Sequence, residues 1–236
     1  VNNVRTVSDT KKTFYTLHTR PINTIYRRVV EELMVEMHLL SVNVDFSYNP
    51  IYALGVVTSF DRFMEGYQPE RDKESIFNAL CKAVEDDSQR YRQDAQRLQT
   101  SATSFPTKDF IAMLSHQTYL AGADDLQTQL QAIASNPKFK YSRLFAIGLY
   151  TLLESSSVEL VKDEKQRTEA LNSIATGLHL PEDKLNKDLE LYRSNLDKMS
   201  QALVVLADML TADRKKREQR AKEQSATANP PSKNES

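Results

Sequence analysis

The residues PEDKLNKDLELYRSNLDKMSQALVVLADML, 181–210, decide how this chain reads. Leu185, Leu189, Tyr192, Leu196, Met199, Leu203, Leu206 and Leu210 recur at alternating spacings of four and three. That is the heptad seam of a helix that packs along one stripe. Pro181 suits the first helical position, and Glu182 and Asp183 complement the N-terminal dipole. Beyond Leu210 the seam positions become Asp213 and Arg217, so the apolar stripe should end while the helix continues to about Arg220. Such an element is on the order of 60 Å long at 1.5 Å per residue. Residues 202–207 are apolar on more than the seam face. Two readings of the seam stand: it docks on the rest of the chain, or it meets a second chain.

Upstream, the same periodicity recurs in shorter pieces. Helices are predicted over about 21–42, 50–64, 69–84, 88–98, 107–114, 124–134, 142–154 and 163–176. Pro21, Pro50 and Pro69 stand where three of them open. Gly66 and Gly177 stand where two close. Residues 51–60 are apolar nearly all round, so that helix belongs at the centre of the core. With 5 Gly and 8 Pro in 236 residues the chain has few turn formers, and no stretch alternates like a strand. The expected fold is all-α: a single bundle of about nine helices, made of a helical body over 1–180 and the long helix over 181–222, with a disordered tail over 223–236.

Formal charge is −1, but it is unevenly spread. Residues 211–236 hold seven basic and four acidic groups, a local +3 that leaves −4 for the remainder. The cluster Arg214, Lys215, Lys216, Arg217 and Arg220 has three readings: a solvated helix end, a contact for anionic lipid, or a contact for nucleic acid. The last is disfavoured because no aromatic residue follows Leu210 to stack a base. Arg27, Arg28, Glu31 and Glu32 crowd the polar face of the 21–42 helix and are a candidate partner face, against plain solvation. The N-terminus lacks the apolar core of a secretory signal, and no apolar run approaches the roughly 20 residues of a membrane helix.

Catalytic signatures are missing. His18, His38, His116 and His179 lie in separate segments, and no phosphate loop, HExxH or GxSxG occurs. The lone Cys81 sits on an apolar face and reads as a buried thiol. No catalytic residue, cofactor or metal site is expected. An enzyme would need a pocket assembled around His38 or His116.

The N-terminal third carries a family likeness. Residues 5–11 (RTVSDTK), 18–23 (HTRPIN), 25–40 (IYRRVVEELMVEMHLL), 52–60 (YALGVVTSF) and 76–81 (IFNALC) resemble the thylakoid formation, or photosystem II biogenesis, protein family. The likeness is tightest over 5–81 and looser to Leu210. It implies an all-helical, non-enzymatic accessory protein with a C-terminal coiled-coil helix, acting in biogenesis and repair of photosystem II. It implies as partners the FtsH membrane proteases and photosystem II components, with a peripheral position on the cytoplasmic side of the thylakoid. The alternative it carries is a membrane-organising protein that binds anionic lipid. Plant members carry a transit peptide; the polar start here reads as that of a cyanobacterial member.

Overall fold

The computed structural model describes residues 4–228, with side chains to 225. Among these residues there are eleven helices and no strand, so the all-α expectation holds with two more helices than the pattern gave. Val1–Tyr192 form one compact unit and Arg193–Ser236 a second. The division falls inside the last helix rather than before it.

Two helices form the centre: α3 (Pro50–Phe63) and α8 (Arg143–Ser156). Every side chain over 51–60 and 144–153 is buried, as an apolar surface on all sides requires. Each start is capped, by Asn49 with Pro50 in the first turn and by Ser142. The pair crosses at its two glycines. A Cβ on Gly55 would run into the carbonyl oxygen of Leu144, and one on Gly148 into that of Ile51. The backbones are therefore in mutual contact, and no other residue fits either position. Thr151 Oγ1 donates to its own helix at the Ile147 carbonyl (2.7 Å) and lies 3.2 Å from Thr58 Oγ1 across the crossing, so this buried polar pair is satisfied.

Around this pair lie α1 (Val7–Leu17), α2 (Thr24–Ser41), α4 (Asp72–Ala83) and α5 (Ser88–Thr103). Helix α5 presents Tyr91, Ala95, Leu98 and Ala102 to the core at helical spacing. Tyr91 meets Tyr48, Tyr52 and Phe77 edge to face, with ring centres 5.2–6.4 Å apart. The far side is closed by α6 (Thr107–Leu114), α7 (Asp124–Ala134), the short α9 (Val158–Lys162) and α10 (Glu164–Gly177). Helix α11 runs Glu182–Ala228, past the boundary expected at 222. The remainder of the expected disordered tail, 229–236, lies outside the described residues.

Two prolines do less than expected. Helix α2 starts at Thr24 under an Asn23 cap rather than at Pro21. Helix α4 starts at Asp72, three residues beyond Pro69, which follows a cis peptide bond. Helix α1 escaped the pattern because only Thr10 and Phe14 of its eleven residues are buried. Its start is fixed instead by a capping box, with Thr6 and Asp9 each bonding the other's backbone N–H.

Helix ends follow one device. Helices α4, α6 and α10 each close with a left-handed residue, Glu85, His116 and His179. The next N–H returns to the last turn in each case: Asp86 to Cys81, Gln117 to Ala112, and Leu180 to Ala175. This is the glycine-type helix stop without glycine. Gly177, expected at such a stop, instead lets α10 approach Ser115, whose carbonyl a Cβ would meet.

Two outcomes follow. Gly148→Ala should cost about 3 kcal/mol, the upper range for overpacking a core, and be read as a lower urea midpoint. His179→Gly should raise stability by about 1 kcal/mol, because it removes left-handed strain at an exposed position; an unchanged midpoint would refute that account.

Candidate functional site

Three of the residues with catalytic potential, His18, His38 and Cys81, are buried, while His116 lines an open cleft with Tyr119, Asp124 and Gln131. His38, on α2, is buried, with Nδ1 2.8 Å from Thr10 Oγ1 of α1. Burial lowers its pKa, with smaller effects from Arg5 (lowering) and Asp9 (raising). His18 is buried 3.1 Å from Ser75 Oγ of α4, and burial lowers its pKa too, ahead of Arg20 (lowering) and Asp72 (raising). His116 lies 2.5 Å from Gln131 Oε1 at an exposed site. Cys81 is fully buried, and burial pushes its thiol far up, away from thiolate chemistry. Among the described residues no group of three or more His, Cys, Asp or Glu could hold a metal.

The α2 face is real but largely self-paired. Arg27, Arg28, Glu31 and Glu32 line a shallow groove of about 720 Å³ with Lys11 and Arg143. Glu31 accepts from Tyr15 Oη at 2.6 Å and from Lys11 Nζ at 3.4 Å. The tyrosine bond is the main reason its pKa is lowered. Burial and that same contact push Tyr15 up to about 12. Glu32 takes Arg28 Nε at 2.9 Å, and Glu36 takes Arg143 at 2.7 Å. Arg27 is exposed and forms no ion pair among the described residues. Leu39, 57% exposed, gives the groove an apolar end. Nothing in the sequence pattern singles out Lys11, Tyr15 and Arg143. They come from α1 and α8, and only the fold brings them beside α2.

The heptad seam divides at the unit boundary. Leu185, Leu189 and Tyr192 are buried in the first unit, where Tyr192 stands edge-on to Phe63 and Tyr150, with ring centres about 6 Å away. Tyr141 donates to Asp188 at 2.8 Å, and Asn186 to Asn172 at 2.9 Å. Past Tyr192 no described side chain of α11 is buried. Leu196, Met199, Leu203 and Leu206 are partly exposed, and Val204, Val205, Met209 and Leu210 are 54–62% exposed. Residues 202–207, apolar on several faces, include no buried side chain. Arg214, Lys215, Lys216, Arg217 and Arg220 are all exposed, and Arg214 pairs with Glu218 at 2.8 Å. Among the described residues no helix is long and apolar enough to cross a membrane.

A family model for the thylakoid formation protein matches residues 6–221. The chain belongs to the thylakoid formation protein family. Within that family, Protein Thf1 of Nostoc punctiforme is 75% identical over the whole of both chains. Thf1 of Trichormus variabilis is 76% identical over 97% of this chain and 98% of its own. Thf1 of Gloeothece citriformis is 58% identical over 93% and 97%. A solved structure of Psb29 superposes with a TM-score of 0.77 at 47% identity, covering 90% of this chain and 98% of that one. The family match spans the α2 groove, the divided seam and the basic cluster alike.

The two buried histidines give a pH dependence with a definite sign. Both take up protons less readily folded than unfolded, where the ordinary value is 6.5. Their contribution is complete above about pH 6.5 and is lost as pH falls below it. Thermal midpoints should be flat from pH 7 to 8 and fall below 6.5. His38→Gln, which keeps a partner for Thr10, should make that fall shallower.

Proposed function

We propose that this protein is a non-enzymatic accessory factor in photosystem II biogenesis and repair, supporting FtsH protease complexes at the thylakoid surface. The observation that carries this reading is the likeness to thylakoid formation proteins along nearly the full chain. The chemistry of the chain is consistent with an adaptor: its thiol and two of its imidazoles are buried, while its charged groove and most of its last helix are exposed. In this role it sits peripherally on the cytoplasmic side, with FtsH and photosystem II components as partners and no part for nucleic acid.

The exposed basic end of α11 supports a second reading, in which the protein organises membranes by binding anionic lipid directly. Flotation with anionic liposomes tests it: binding that is unchanged when 214–222 are deleted removes that role for the cluster.

Affinity isolation of the tagged chain from solubilised thylakoids tests the first reading. FtsH subunits should co-purify, and Arg27→Glu with Arg28→Glu should lower their recovery several-fold if the α2 groove is the contact. Eluates without FtsH would sink the adaptor reading; full recovery with the double variant would sink only the groove.

A further inference from the structure

Helix α11 changes character along a single stripe. Leu196, Met199, Leu203, Leu206 and Leu210 occupy successive seam positions, and the next in phase are Asp213, Arg217 and Arg220. Arg214 and Lys216 flank the stripe on either side. The apolar seam thus runs directly into a basic one of the same helical phase, with four cations against one acid.

That continuity bears on what covers the helix. A second copy fits poorly. The open apolar part, 196–210, spans about two heptads, short of the roughly three to four that sustain a coiled coil. A parallel self-pair would extend it only by setting Asp213 on Asp213, Arg217 on Arg217 and Arg220 on Arg220, each a like-charge contact. An antiparallel self-pair centred on Leu203 and Leu206 would oppose Arg217 to Tyr192, a residue already buried in its own chain. A bilayer also fits poorly. A helix lying in a lipid surface carries its cations beside the apolar face along the same length; here they follow it end to end. Charges held in seam phase are what a partner helix reads, since seam and flanking charges set pairing in coiled coils.

We infer that residues 196–220 of α11 are a docking strand for a helix of another protein, one whose apolar heptad seam continues into an acidic segment facing Arg214, Lys216, Arg217 and Arg220. The shared apolar part supplies contact area, and the charged part lengthens the interface and fixes register. Met209, beside the seam and 62% exposed, adds apolar area along its edge. This rests on the adaptor reading only for the identity of the helix's owner.

The test uses the full chain and synthetic helices. One peptide carries a leucine seam with glutamates at seam and flanking positions of its C-terminal end, a second has them at its N-terminal end, and controls carry lysine instead. These cover parallel and antiparallel pairing. One acidic peptide should bind at least about tenfold tighter than its lysine control, and less tightly as salt is raised. Leu203→Asp with Leu206→Asp should abolish binding. Arg214→Glu, Arg217→Glu and Arg220→Glu together should transfer the preference to the lysine peptide. The substituted side chains lie in the second unit, where none is buried, so circular dichroism of each variant should match the parent.

No binding, or equal binding to acidic and lysine peptides, overturns the inference. So does a concentration-dependent dimer, by sedimentation, that Leu203→Asp dissolves, or phosphatidylglycerol-vesicle binding lost in the triple variant with no peptide bound. Peptide recognition can hold while FtsH fails to co-purify, and the reverse, so the two readings fail separately.

Discussion

The structure turns on the contact between Gly55 and Gly148. Two helices that are apolar on all sides can only be accommodated at the centre of a bundle, and the distance at which they cross sets the spacing for everything laid around them. With hydrogen at both positions the backbones touch directly. A side chain at either would wedge the pair apart and enlarge the gap that the facing leucines, phenylalanines and tyrosines must fill. Because interiors are packed as densely as organic crystals, a small displacement here propagates to α5 and to the aromatic group of Tyr48, Tyr52, Phe77 and Tyr91.

From that centre outward the burden shifts from shape to polar pairing. Helix α1 has a single large buried apolar side chain, Phe14. Its position is fixed by polar links: Thr10 to His38, His18 to Ser75, Tyr15 and Lys11 to Glu31, and Arg5 to Glu85. The outermost layer is therefore the part whose attachment depends most on groups that answer to pH and salt.

How much of this the sequence carries depends on which rule a residue obeys. The all-α class, the central place of 51–60 and the start of α3 at Pro50 follow from local pattern and are legible residue by residue. Helix α1 is not, because a helix held by polar contacts leaves little apolar period to read. Pro21 and Pro69 look like helix starts by their chemistry, yet the chain delays each helix by three residues. The α2 groove shows only part of itself in sequence, since Lys11 and Arg143, and the Tyr15 that bonds Glu31, arrive by tertiary folding. The seam is the instructive case. From Leu185 to Leu210 its periodicity is uniform, yet Tyr192 is buried and Leu210 is open, because a heptad repeat specifies a stripe and says nothing about what lies against it.

The distribution of sulfur has a consequence for oxidants. The chain has one cysteine and six methionines. Cys81, Met34, Met37, Met64 and Met113 are buried, leaving Met199 partly exposed and Met209 62% exposed, both on the open length of α11. Peroxide reaching the folded protein therefore meets thioethers before it meets the thiol. A sulfoxide at Met199 or Met209 would place a polar, reversible group on the apolar surface of α11 while the first unit kept its sulfur reduced.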